Sequence, residues 1–177
     1  SLELEYGKWV LLVGESGQGK STLADIVAGF TSPTNGEIRI GDVMMLTLAR
    51  EKWRRRVAYI PQSPYIFNAT LRENLAFYDP DCDDEAIMEV VYRLGLQDLI
   101  NALPQGLDTP IGDGARSFSG GQLQRIALAR ALLDEARDIW ILDEPTAHLD
   151  IETELDLKEQ MVSLMAGKTV LIISHRM

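Results

Sequence analysis

Residues 9 to 22 read Trp-Val-Leu-Leu-Val-Gly-Glu-Ser-Gly-Gln-Gly-Lys-Ser-Thr, and this stretch constrains the fold more than any other. Trp9 to Val13 is a short apolar run of strand type, and Thr22 to Ala28 has the make-up of a helix. Between them lies Gly14-x-x-x-x-Gly19-Lys20-Ser21, a G-x-x-x-x-G-K-[ST] pattern in its required strand, loop and helix setting. Such a loop binds phosphate. Its glycines let successive backbone N–H groups curl around the anion, and the helix start adds a favourable dipole. Lys20 then reaches the β- and γ-phosphates, and the Ser21 hydroxyl ligates Mg²⁺. The expected nucleotide-contacting positions are Gly14, Ser16, Gly17, Gly19, Lys20, Ser21 and Thr22.

A phosphate loop needs a carboxylate at the end of a neighbouring strand. Ile139-Trp140-Ile141-Leu142-Asp143-Glu144 supplies four apolar residues followed by two acids. In an open parallel sheet both acids emerge at the carboxyl edge, where ligands bind. Asp143 is expected to hold Mg²⁺, through water, and Glu144 to face the attacking water. Taken alone, the same residues would be an ordinary strand with a solvated end.

Ser119-Gly120-Gly121-Gln122 opens an amphipathic run, Leu123 to Leu133, and its S-x-x-Q spacing is a capping box. Two glycines in a first turn cost about 1 kcal/mol each in helix propensity, which a plain cap has no reason to incur. Bare backbone at a helix start is an anion site. It lies about 100 residues after the phosphate loop and is read as a second site that receives a phosphate from elsewhere.

Short apolar runs recur at Trp9 to Val13, Val57 to Ile60, Ile139 to Leu142 and Val170 to Ile173, separated by helix-length amphipathic segments. That is the pattern of strands buried on both faces of a parallel sheet, hence an α/β core. Alternation in Leu2-Glu3-Leu4-Glu5 and in Glu37 to Val43, the latter with a Gly41-Asp42 turn, predicts a small antiparallel piece. From about Asn68 to Leu133 no strong strand signal occurs, while Glu85 to Leu94 and Gln122 to Leu133 have helical spacing, so a helical insertion is expected there.

The net charge of the 177 residues is −10, which excludes non-specific binding to nucleic acid backbones as the main activity. No apolar run approaches the roughly 20 residues of a membrane-spanning helix, and the N-terminus has no signal-peptide pattern. Cys82 is the one cysteine, which excludes an internal disulfide and fits a reducing compartment. Asp79, Asp81, Asp83 and Asp84 mimic a calcium loop, but its glycine and its final glutamate are missing. Arg50, Lys52, Arg54, Arg55 and Arg56 read as a solvated helix face.

Phe118-Ser119-Gly120-Gly121-Gln122, between the phosphate loop and the Asp143-Glu144 strand, resembles the signature motif of ATP-binding cassette (ABC) ATPases. Gln62 in Tyr59-Ile60-Pro61-Gln62 is similar to that family's Q-loop, Thr146-Ala147-His148-Leu149-Asp150 to its D-loop, and His175 in Ile173-Ser174-His175 to its switch histidine. Phe67 to Leu75 and Gly106 to Gly114 further resemble the post-Q-loop segment and X-loop of exporter-type cassettes, with Asp113 where glutamate is usual. The His148 variant of the D-loop and Ser63-Pro64-Tyr65 resemble bacterial cassettes that export cysteine or glutathione and support cytochrome bd assembly.

The resemblance spans residues 1–177 and implies a P-loop NTPase core with a mostly parallel sheet, a small antiparallel β subdomain and a helical subdomain over roughly 68–133. It implies ATP and Mg²⁺ as ligands, and a head-to-tail pair with a second cassette, identical or not. In that pair ATP on Lys20 and Ser21 of one chain is capped by Ser119, Gly120, Gly121 and Gln122 of the other. Gln62 would sense the γ-phosphate and Mg²⁺, Glu144 polarise the water, His175 hold the γ-phosphate, and Asp150 couple the two sites. By the same resemblance the chain powers export beside a transmembrane domain at the cytoplasmic face of the inner membrane. The alternatives are a soluble regulatory or architectural ABC ATPase, or a cassette that occludes ATP without turnover. The family's adenine-stacking aromatic falls upstream of Ser1, and the chain stops two residues after His175, so the sequence reads as a piece trimmed at both ends with weakened nucleotide affinity.

Overall fold

A computed structural model describes residues 2–15, 17–48, 50–112, 118–147 and 149–175. Ser16, Asp113, Gly114 and His148, each singled out above, lie outside the described residues. The chain divides into two compact units. One comprises residues 1–61, 136–145 and 165–177, and the other residues 62–135 and 146–164.

The first unit holds β1 (Trp9–Val13), α1 (Lys20–Ala28), the pair β2 (Ile38–Ile40) and β3 (Val43–Met45), α2 (Glu51–Arg54) and β4 (Val57–Ile60). In the second, β5 (Ala69–Thr70) leads into α3 (Leu71–Leu75), α4 (Asp84–Arg93), α5 (Gln97–Asn101), β6 (Pro110–Ile111) and α6 (Gly120–Leu133). Then β7 (Ile139–Asp143) returns to the first unit, α7 (Ile151–Leu164) to the second, and β8 (Thr169–Ser174) to the first. The fold is α/β, with a four-stranded sheet in the order β1-β8-β7-β4 whose pairings are all parallel.

The aliphatic runs at Val57–Ile60, Ile139–Asp143 and Thr169–Ser174 are buried nearly throughout, as continuous apolar strands of a parallel sheet should be. β1 departs from that expectation. It is one of the sheet's two edge strands, β4 being the other: Val10 and Leu12 pack on the core, while Trp9, Leu11 and Val13 on the opposite face are 41, 57 and 39% exposed. The core beneath α1 joins Ala24, Val27 and Ala28 to Val57, Ile139, Ile141, Leu171 and Ile173.

The Gly41-Asp42 turn closes the antiparallel pair β2/β3 as its alternation predicts. Leu2 to Glu5 forms no strand, although Leu2 and Leu4 do pack against the same core. Alternation there reports which side chains face inward, and inward facing needs no ladder partner. In the second unit β5 and β6 pair over two residues, too short to leave a periodic trace in the sequence. A further correction concerns the strand carrying Asp143 and Glu144. It is not the immediate neighbour of the phosphate-loop strand, because β8 lies between them. At the usual strand spacing the two acids therefore stand about 10 Å across the sheet from the loop, a gap that a chain of phosphates can fill.

Candidate functional site

The loop between β1 and α1 is built on backbone that only glycine adopts freely. Gly17 and Gly19 have φ of +83° and +82°. Gly19 is the residue preceding α1, and no side chain caps that end, so the first-turn N–H groups are left for an anion. The buried Lys20 folds back over the loop, its Nζ donating to the carbonyls of Gly14 at 2.7 Å and Glu15 at 2.8 Å. Ser21 and Thr22 stand exposed in the same first turn. Apart from Ser16, the residues expected at the phosphate loop thus share one cradle.

At the carboxyl edge of β7, Asp143 Oδ2 accepts a hydrogen bond from the Tyr59 hydroxyl at 3.1 Å. Burial, and then the charge of Asp143, push the Tyr59 phenol far above its ordinary pKa, so it remains a donor. Glu144 follows with φ +48°, the one left-handed non-glycine among the described residues. Its N–H donates to the Ile173 carbonyl at 3.0 Å, which continues the β7/β8 ladder by one step. Its Oε2 lies 2.6 Å from Nδ1 of His175, just beyond β8. The contact follows from register, since Asp143 pairs with Ile173, which brings the first residues beyond the ends of the neighbouring strands β7 and β8 to the same edge. Glu144 and His175 are 31 positions apart, and only the parallel pairing reveals that they meet.

The remaining expected residues belong to the second unit. Ser119 and Gln122 form both halves of the capping box, Gln122 N–H to Ser119 Oγ at 3.2 Å and Ser119 N–H to Gln122 Oε1 at 3.0 Å. Gly120 is the first residue of α6. At Gly121 the structure adds a reason that the sequence does not suggest, because a Cβ there would stand 2.7 Å from Thr153 Cγ2 on α7. Thr153 cannot readily yield, since its N–H and hydroxyl donate to Asp150 at 3.0 and 2.7 Å. Those two bonds hold the Asp150 carboxyl below the usual range and make it the cap of α7. Gln62 is exposed, and its carbonyl accepts from Gln124 Nε2 on α6 at 3.0 Å.

Sequence reasoning missed the buried network around Arg130. This side chain, 8% exposed, donates from Nε to the Asn74 carbonyl (2.7 Å), from Nη2 to Asn74 Oδ1 (2.9 Å) and from Nη1 to the Tyr65 carbonyl (2.8 Å). Its guanidinium also lies over the rings of Phe67 and Phe77, 5.1 and 5.6 Å from their centroids. Burial pulls its pKa down to about 10, so the side chain stays charged at neutral pH. Asn74, fully buried, exchanges two further hydrogen bonds with the Phe67 backbone. The signal was an arginine on the apolar face of an amphipathic run, four residues after Ile126.

The donor set suits a nucleotide with Mg²⁺. Among the described residues no cluster of three or more His, Cys, Asp or Glu could hold a metal unaided. Within the first unit a hydroxyl (Ser21) and a carboxylate (Asp143) are hard oxygen donors of the kind Mg²⁺ uses when phosphates complete its shell.

The family model described as ABC transporter matches residues 1–147. The chain is 47% identical over 170 residues to the glutathione/L-cysteine transport system ATP-binding/permease protein CydC of Bacillus subtilis (strain 168), covering 96% of this chain and 30% of that protein. It is 39% identical over 177 residues to the protein of the same name from Escherichia coli (strain K12), covering 100% of this chain and 30% of that protein. Among solved structures, a bacterial Atm1-family ABC exporter with ATP bound superposes with a TM-score of 0.86 at 32% identity, covering 99% of this chain and 31% of the other. The chain spans about 30% of the length of the curated relatives it matches.

Proposed function

The chain belongs to the ABC transporter family, and from that premise we propose that it is the ATP-hydrolysing cassette of an exporter. The observation that carries the reading is the shared edge of one sheet, where the phosphate loop, Asp143 and the Glu144–His175 pair all emerge. Lys20 and the first-turn N–H groups of α1 bind and orient the triphosphate. Glu144 takes a proton from water as the water oxygen bonds to the γ-phosphorus and the bond to the bridging oxygen breaks, releasing ADP and phosphate. His175 holds the Glu144 carboxylate through Nδ1 and contacts the γ-phosphate through its remaining ring nitrogen. Ser21, Gln62 and Asp143 would hold Mg²⁺, which when bound neutralises phosphate charge.

In this reading Ser119, Gly120, Gly121 and Gln122 cap the nucleotide of a second cassette, with Asp150 coupling the two sites. The partners are that cassette and a transmembrane domain at the cytoplasmic face of the inner membrane. No helix among the described residues is long and apolar enough to cross a membrane. The relatives named as ATP-binding/permease proteins support transport over a regulatory or architectural role. Light scattering of the Glu144→Gln variant should show a doubling of mass on addition of MgATP, lost when Lys20→Ala is added. A chain that binds ATP and stays monomeric would remove the identical-chain pair and leave a non-identical cassette as the partner.

The relatives named for glutathione and L-cysteine transport support a low-molecular-weight thiol as cargo. Inverted vesicles carrying the longer protein of which this cassette is part should then take up cysteine or glutathione in an ATP-dependent manner. Absence of such uptake would remove the thiol reading and leave the ATPase reading intact.

A further inference from the structure

We propose that Tyr59 is a positioning residue for Asp143, fixing that carboxylate in the orientation in which it serves Mg²⁺. The proposal rests on the reading of Asp143 as the metal-side carboxylate. Tyr59 lies opposite Ile141 in the β4/β7 pairing, and Asp143 is two residues further along the same face of β7. Two residues of strand span about 7 Å, the reach of a tyrosine, and the phenol ends 3.1 Å from Asp143 Oδ2.

Two contacts hold the ring in that position. It packs against the core beneath α1, and Phe30, just past the end of α1, meets it edge-on at 5.3 Å with a 62° interplanar angle. An aspartate at a strand end is otherwise able to turn between rotamers. A donor anchored in the core removes that freedom from one oxygen and leaves the other for the ion or its water. Partners that orient a ligating carboxylate typically govern metal affinity as strongly as this, with losses of about 10- to 100-fold on removal. The competing explanation is that Asp143 merely satisfies a half-buried phenol. The two differ in what happens when only the hydroxyl is removed.

The Tyr59→Phe variant keeps the ring and its contact with Phe30. The quantity to measure is the factor by which Mg²⁺ tightens ATP binding, taken as the ratio of calorimetric dissociation constants in EDTA and in Mg²⁺. The expected result is a ratio lowered about 10-fold, with the constant in EDTA unchanged because Lys20 and the loop are untouched. A wild-type ratio in Tyr59→Phe overturns the proposal alone. A wild-type chain whose ATP affinity ignores Mg²⁺ overturns the functional reading and this proposal with it. Asp143→Asn provides the second arm: adding Tyr59→Phe to it should change the ratio no further, and independent, multiplying effects would refute the coupling. The melting temperature of each nucleotide-free variant reports folding separately.

Discussion

Replacing Glu144 by Gln is expected to slow ATP turnover about 10²–10⁴-fold, the usual contribution of a positioned general base. Affinity for MgATP should hardly change. The substitution preserves side-chain volume and still offers an oxygen to His175 Nδ1, 2.6 Å away in the wild type. What it removes is the capacity to take a proton. The partly buried setting of Glu144, with 18% of its side chain exposed, makes rescue by bulk solvent inefficient. Phosphate release at saturating MgATP, measured beside nucleotide affinity, separates the two effects. A loss below tenfold would remove Glu144 from the role of base and return attention to His175.

The largest effect on stability is expected at Arg130, a residue given no part in the chemistry. Arg130→Ala deprives the Tyr65 and Asn74 carbonyls of their donors within a buried network. Each orphaned group costs about 1–3 kcal/mol, and the cavity adds to this. A total near 3 kcal/mol corresponds to a fall of roughly 6–12 °C in melting temperature for a chain of this size. Arg130→Lys should recover only part of that, because one ammonium cannot serve three acceptors in the directions that a planar guanidinium serves them. Thermal and urea unfolding of the two variants give the comparison. A loss under 1 kcal/mol for the alanine variant would mean that water replaces the guanidinium and that the segment from Tyr65 to Asn74 is held by other contacts.

The sheet was legible because its central strands are uninterrupted aliphatic runs, and a parallel sheet buried on both faces leaves no other pattern. The phosphate loop was legible because glycines at 17 and 19 answer a backbone requirement that few other structures impose. Pairings over long sequence separations left no such trace. Tyr59 with Asp143, Glu144 with His175 and Arg130 with Asn74 each depend on register or on helix packing that local pattern does not encode. The misplaced neighbour shows the same limit, since the order β1-β8-β7-β4 is a matter of crossover and each strand reads alike in any order. Gly121 was assigned to a ligand on propensity grounds, yet its approach to Thr153 alone requires a glycine.

The left-handed backbone at Glu144 carries a consequence for anyone who would improve this protein. A residue with a Cβ held at φ +48° forgoes about 1–2 kcal/mol that glycine would not. A campaign guided by thermal tolerance alone would therefore select glycine at 144, and by doing so would discard the carboxylate on which hydrolysis is proposed to depend. The most stable version of this chain and the working one differ at that residue, and screens that reward heat resistance will drift towards a chain in which the proposed hydrolysis is slowed.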